Sequence, residues 1–107
     1  MNQVDNELGS CVWRCPEELT IFEVAAQTEL ALLTLGSRGD SDEMVADLSE
    51  LTELDSAGLQ LLLSMKKACT RLHVDLNLKG VSEPVAELFG LFGFDLTLTA
   101  LAEGSHD

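Results

Sequence analysis

Basic residues are scarce in this chain. Six lysine and arginine residues stand against 19 aspartate and glutamate residues, which gives a formal net charge of −13. A surface of this sign repels the phosphates of nucleic acids and of anionic lipids, so we expect direct binding to neither class. The same field favours association with a basic protein surface, although acidity also serves solubility without any particular partner.

Long hydrophobic runs are also missing. No apolar stretch approaches the roughly 20 residues that a helix needs to cross a bilayer. The N-terminal segment carries acidic residues where a secretion signal carries basic ones. Three cysteines, Cys11, Cys15 and Cys69, fit free thiols in a reducing compartment better than a disulfide framework. These features predict a cytoplasmic protein, or a subunit that another protein holds at a membrane.

The chain also lacks the motifs of common catalytic, nucleotide-binding and metal-binding sites. Residues 36–39 contain two glycines but not the lysine and helix start of a phosphate-binding loop, and no hydrolase motif joins a serine to a histidine and an aspartate. A zinc site needs four convergent ligands, whereas the chain offers its three cysteines, His73 and a histidine near the C-terminus, His106. We therefore predict neither an enzyme nor a bound cofactor or metal.

The length and composition suit one compact domain. The chain has 107 residues, of which 46% are hydrophobic, and this is enough for one core but not for two. We expect a flexible N-terminus over residues 1–10, a folded domain over 11–102 and a flexible tail over 103–107.

Periodicity and turn residues predict the elements of this domain. Short apolar or alternating segments predict strands at 11–15, 19–21, 44–48, 73–78 and 96–98. Helical spacing and capping residues predict helices over 22–35, 57–69 and 83–93. The polar segment 49–54 is predicted to be a turn.

This order of elements predicts an α/β fold with a mixed, mainly parallel sheet of four to five strands and about three to four helices. Each helix would serve as a right-handed crossover between parallel strands. In such a sheet the loops at the carboxyl ends of the strands collect at one edge, where binding sites usually lie. The loop over residues 49–56 falls on that edge.

One segment carries a family resemblance. Residues 45–62 read VADLSELTELDSAGLQLL: a strand ending in Asp-Leu-Ser, a short polar loop, and then Asp-Ser-Ala-Gly-Leu at the start of a helix. This pattern resembles the signature of the STAS domain family. Residues 16–22 and 76–88 resemble the family's second strand with its helix entry and its fourth strand with the following helix, so the resemblance extends over about residues 11–99.

The resemblance implies the fold and role of a bacterial anti-sigma factor antagonist. In these regulators of transcription, a partner kinase phosphorylates the serine or threonine after the aspartate, and the matching residue here is Ser56. The family also includes subunits of phospholipid-transport ABC complexes and stand-alone proteins associated with chemotaxis clusters. The implied partner is thus an anti-sigma factor resembling a serine kinase, a transporter ATPase or a chemotaxis protein.

The residues themselves support a switch at Ser56 and leave an alternative open. A phosphate at a helix N-terminus is accommodated by free backbone N–H groups and the helix dipole, whereas at a protein interface it opposes binding by its charge and its desolvation cost. The alternative is that Ser56 only caps the helix and is never modified.

The predicted partner-binding residues surround the start of this helix: Asp55, Ser56, Ala57, Gly58, Leu59 and Leu63. A glycine inside a helix costs about 1 kcal/mol relative to alanine, so Gly58 indicates close packing, either of the helix on the sheet or of a partner backbone. Leu59 and Leu63 lie beside the apolar stripe of the helix and are either core residues or an exposed docking strip.

Overall fold

The structure is a computed structural model that describes residues 11–92. Within this range strands and helices follow one another along the chain, and the predicted α/β fold class is confirmed. The elements are β1 (Cys11–Arg14), β2 (Glu18–Leu19), α1 (Val24–Gly36), β3 (Glu43–Asp47), β4 (Glu53–Leu54), α2 (Ser56–Arg71), β5 (Asp75–Lys79) and α3 (Glu83–Leu91).

The three longer strands form one parallel sheet in the order β1-β3-β5. Cys11 lies opposite Met44 and Met44 lies opposite Leu76, so buried residues of the alternating pattern are neighbours across the sheet. Pro16 limits the ladder of β1, because it has no backbone N–H to donate to the neighbouring strand. The predicted strands at 11–15, 44–48 and 73–78 are confirmed, with ends displaced by one or two residues.

The two shortest strands form a second, separate sheet. β2 and β4 pair in parallel, with Leu19 opposite Leu54. The prediction that 49–54 is entirely turn is therefore wrong, and the strand predicted at 19–21 lies one residue earlier and is shorter. The reason is that two residues are too few to show a period, and that β4 is held by tertiary contacts: the carbonyl oxygen of Glu17 accepts hydrogen bonds from the backbone N–H groups of Thr52 and Glu53.

Helix α1 is confirmed but begins at Val24, two residues later than predicted. Phe22 therefore lies before the helix, with 90% of its surface exposed. Ala31 and Leu35 are the buried residues of α1. Three other leucines of this helix face solvent in the described part of the chain: Leu30, Leu32 and Leu33.

Helices α2 and α3 begin where the capping residues predict. The side chain of Asp55 accepts a hydrogen bond from Gly58 N, and that of Ser82 accepts one from Val85 N. α3 then runs to Leu91. The predicted end of this helix at residue 93, the last predicted strand at 96–98 and the predicted flexible ends lie outside the described residues.

Gly58 lies where α2 passes over the small sheet. α1 and α2 contact each other, α1 contacts β1, and α2 contacts both β4 and β5. A Cβ atom on residue 58 would lie 2.1 Å from the carbonyl oxygen of Leu19 and 2.9 Å from Cδ1 of Leu54. Contacts this short require the backbone to move, so the glycine is explained by close packing of the helix on its own sheet.

We expect Gly58→Ala to lower the free energy of unfolding by about 1–3 kcal/mol, the usual cost of overpacking. The helix propensity gained, about 1 kcal/mol, is too small to offset the displacement of β2. Urea denaturation measures the change. Gly90→Ala in α3 is the matched control, because an added Cβ meets nothing within 4 Å there, and it should leave the protein as stable or more stable. Equal effects of the two substitutions would contradict this packing.

The three cysteines are free and buried. Desolvation raises the pKa of the Cys15 thiol to about 12 and that of Cys69 to about 11, and it also raises the pKa of Cys11. Cys69 Sγ lies 3.9 Å from Met44 Sδ inside the core. These thiols pack as small apolar side chains, because a thiolate would be costly in this environment.

In the folded protein we therefore expect no rapid reaction of any thiol with a disulfide reagent such as Ellman's reagent near pH 8. All three should react once the chain is unfolded in guanidinium chloride, which serves as the control for reagent and stoichiometry. Rapid labelling of one thiol under native conditions would show that its burial is wrong.

Candidate functional site

Asp55 joins the start of α2 to the loop that precedes α1. Its Oδ1 atom accepts a hydrogen bond from Gly58 N at 2.9 Å, and its Oδ2 atom accepts one from Ile21 N, also at 2.9 Å. These bonds, with that from Gly58 as the larger contribution, lower the pKa of Asp55. Both carboxylate oxygens are thus used, one to cap a helix and one to hold a neighbouring loop.

Ser56 is the first residue of α2, and it is exposed. Because Asp55 caps the helix, the Ser56 side chain is not needed for capping, and it makes no hydrogen bond to any residue between 11 and 92. The alternative that Ser56 serves as the helix cap is therefore wrong. Its hydroxyl lies at the positive end of the helix dipole, a place where backbone N–H groups favour an anion.

The loop held by Asp55 is also organised from within. Glu23 Oε1 accepts hydrogen bonds from Thr20 N at 2.8 Å and from Thr20 Oγ1 at 2.6 Å, and Phe22 N donates to Thr20 Oγ1. The bonds from Thr20 lower the pKa of Glu23. These bonds hold the turn in one conformation. In it, Ile21 is 60% exposed to solvent and Phe22 is 90% exposed.

The loop between β3 and β4 leads the chain to Asp55. Asp47 Oδ1 accepts a hydrogen bond from Ser49 N at 3.0 Å, and the interactions with Ser49 lower the pKa of Asp47. Leu48 and Leu51 are buried, so this loop is anchored by apolar side chains as well. The signature segment is therefore a rigid connection that fixes where α2 begins.

The predicted partner-binding residues differ in exposure. Ser56 is exposed, Asp55 and Ala57 are partly buried, and Gly58 is buried. Leu59 is only 6% exposed and belongs to the core, so its assignment to an exposed docking strip is wrong. It is buried because the close approach of α2 at Gly58 brings this turn of the helix onto β2 and β4. Leu63 is partly buried and packs against the core.

The exposed apolar side chains of this edge are Ile21 and Phe22, which were not among the predicted site residues. A signal for them exists in the sequence, because Thr20 and Glu23 have the spacing of a capping box, in which a threonine and a glutamate three residues later satisfy each other at a helix start. That motif places a turn immediately before the helix, and Phe22 lies in this turn.

Two wider properties of the described chain concern ligands and membranes. Among residues 11–92, no three His, Cys, Asp or Glu side chains converge as a metal-binding group. No helix in this part of the structure has the length and apolar character needed to span a bilayer.

The family model described as "Mlab, STAS domain" matches residues 18–101. This span covers most of the chain and runs from β2 through the signature segment and α3. The chain belongs to the STAS domain family. The resemblance predicted from residues 45–62 is thereby confirmed, and STAS domains generally act as regulatory or interaction modules and not as catalysts.

Solved structures support the same fold for this STAS domain. A sulfate transporter family protein from Wolinella succinogenes is 21% identical with a TM-score of 0.70, and the match covers 85% of this chain and 72% of that one. The protein TM1081 is 16% identical with a TM-score of 0.69, over 87% of this chain and 72% of that one. No sequence among curated proteins matches significantly.

The two bonds to Asp55 predict a pH-dependent role in stability. The pKa of Asp55 is lower in the folded state than in the unfolded state, where it is about 3.9. The carboxylate therefore stabilises the fold fully above about pH 3.9, and this stabilisation is lost as the pH falls through the folded-state pKa. Asp55→Asn keeps one acceptor oxygen and loses the other. We expect its stability deficit to be largest at neutral pH and to shrink below about pH 3.9.

Thermal unfolding between pH 3 and 7 measures this difference. Asp42→Asn is the matched control, because the exposed Asp42 side chain accepts no hydrogen bond from residues 11–92. A deficit for Asp55→Asn that stays constant over the pH range, or one that the control reproduces, would contradict the role of the carboxylate.

Proposed function

We propose that this STAS domain is a non-enzymatic interaction module of the anti-sigma factor antagonist type, switched by phosphorylation of Ser56. The observation that carries the proposal is the placement of the Ser56 hydroxyl, exposed at the start of α2 and released from capping by Asp55. A kinase can reach such a hydroxyl without unfolding the domain.

The surroundings of Ser56 explain how a phosphate would switch binding without harming the fold. Phosphorylation adds a charge of about −1.5 to −2, which the start of α2 accommodates through its dipole and N–H groups. A partner that covers Ser56 also covers the exposed Ile21 and Phe22, so it would have to desolvate the phosphate against apolar side chains and beside the Asp55 carboxylate. Both effects weaken the complex.

The charge of the chain indicates the kind of partner surface. The loops nearest to Ser56, residues 15–23 and 48–55, contain no basic residue, whereas Glu17, Glu18, Glu23, Glu53 and Asp55 all belong to them. A partner with basic residues around an apolar contact area suits this rim. We place the protein in the cytoplasm, where a reducing environment preserves three free thiols.

A second candidate function is favoured by the comparisons. The matching family model is described as "Mlab, STAS domain", and one structural neighbour is a sulfate transporter family protein. These descriptions suit a STAS subunit of a transport complex, such as a phospholipid-transport ABC complex, that binds the transporter ATPase permanently. A chemotaxis-associated scaffold is a third form of the same non-enzymatic role. In the transport-subunit role and in the scaffold role, Ser56 carries no phosphate.

The switch predicts that Ser56→Asp weakens binding to the native partner at least about tenfold, or 1.4 kcal/mol, with the domain still folded. The partner is recovered from native cells with the wild-type chain, purified, and titrated by calorimetry. Ser56→Ala and Thr70→Glu are the controls, since the first adds no charge and the second adds one at the far end of α2. Unchanged affinity for Ser56→Asp, or equal weakening by Thr70→Glu, would reject the switch.

The intact mass of the protein from its native cells separates the two candidate functions. A regulatory switch predicts a fraction of the protein with a phosphate on Ser56 that disappears after phosphatase treatment. A transport subunit predicts unmodified protein that copurifies with an ATPase in constant proportion.

A further inference from the structure

An apolar cavity lies between α1 and α2. Its volume is about 130 Å³. An apolar cavity of roughly 150 Å³ holds a benzene molecule, so this one has room for a single large apolar side chain. Thr28 and Ser64 are the only hydroxyl-bearing residues of its lining. The apolar lining comes from both helices and from β3 beneath them, and it includes Leu32, Leu35, Leu61, Met65, Ala68 and Met44.

The rim of this cavity continues into an exposed apolar surface on α1. Leu32, which lines the cavity, is 56% exposed, and Leu30 and Leu33 are 49% and 62% exposed. Glu29 is the only charged residue in α1. A helix that is apolar on most of its sides is normally covered on most of them. Among the described residues, however, α1 has its contacts chiefly with α2 and β1.

The charges around this groove differ from one end to the other. Both helices begin at the same edge, because Ile21 N and Asp55 are hydrogen-bonded there, and the charged residues directly before the two helices, Glu23 and Asp55, are acidic. The opposite end is mixed. It carries basic residues in or just after the last turns of the helices, together with acidic residues before β3: Arg38, Lys67 and Arg71, and Asp40 and Asp42.

We propose that the groove between α1 and α2 is a docking site for one amphipathic helix of a protein partner. An apolar side chain of that helix fills the cavity, and its lysine or arginine residues lie over the acidic end of the groove. Helix-in-groove binding of this kind relies on a few apolar anchors at helical spacing. The charge argues against a second copy of this chain, which would bring a net charge of −13 against −13, and against an anionic lipid surface.

This site goes beyond the proposed switch, because it does not involve the Ser56 hydroxyl. Binding in the groove should therefore persist whether or not Ser56 is phosphorylated. A partner that uses both surfaces would stay attached through the groove while its contact with Ser56 is made or released.

The first step of the test is photo-crosslinking in the native cells, with p-benzoylphenylalanine in place of Leu32 in the full-length chain. The proposal expects an adduct with a different protein, at a segment that is amphipathic as a helix and has Lys or Arg at one end. An adduct with a lipid, with a second copy of the chain, or with residues 1–10 or 93–107 of the same chain overturns it, and so does the absence of any adduct.

The second step titrates a synthetic peptide of the cross-linked segment against the purified chain. Ala68→Phe, which fills the cavity, and Leu32→Ser, which alters only an exposed rim residue, should each weaken binding at least about tenfold. Leu91→Ser is the control for losing an exposed leucine, because Leu91 is 81% exposed on α3, and it should leave affinity unchanged. Circular dichroism confirms that each variant is folded.

Adding Ser56→Asp to this series separates the groove from the switch. Its affinity for the peptide should match that of the wild type, while its affinity for the whole partner falls if the switch is also correct. If Leu32→Ser binds the peptide as tightly as the wild type, the groove proposal fails regardless of the result at Ser56.

Discussion

The carboxylate of Asp55 is the contact on which the proposed binding edge of this domain depends. One oxygen caps α2 through Gly58 N and the other holds Ile21 N, so a single side chain sets the position of the helix start and of the neighbouring loop. A neutral side chain at this position could not accept both bonds. Because the cap comes from Asp55, the Ser56 hydroxyl is left exposed at a helix N-terminus, and this is the property that makes it available for modification.

The close contact at Gly58 complements this arrangement. The missing side chain lets α2 lie against the carbonyl oxygen of Leu19, which brings β2, β4 and the helix start together. As a result Leu59 is buried, and the apolar surface of the edge comes from Ile21 and Phe22 in the adjacent loop. In this chain the signature segment thus combines a residue that joins the helix start to a neighbouring loop, a serine left exposed, and a glycine that allows close packing. A partner would meet an exposed hydroxyl beside two apolar side chains, within an acidic surface.

Much of this architecture could be predicted from local signals. Alternation located β1 and β5, a short apolar run located β3, and the capping residues Asp55 and Ser82 located the starts of α2 and α3. The two-residue strands β2 and β4 were missed in part, because their pairing depends on contacts between segments about 35 residues apart. Helical periodicity identified α1 but not which side of it would be covered. The burial of Leu59 depends on the approach of α2 to Leu19, and the residues around Leu59 in the sequence do not predict this tertiary contact.

The most direct test of the account follows the backbone amide resonances of Ile21 and Gly58 by NMR while the pH is lowered. If one carboxylate accepts bonds from both amides, the two resonances shift together with a common midpoint, and that midpoint lies below the ordinary aspartate pKa of about 3.9. Different midpoints for the two amides, or a response of only one of them, would show that Asp55 does not join the loop to the helix.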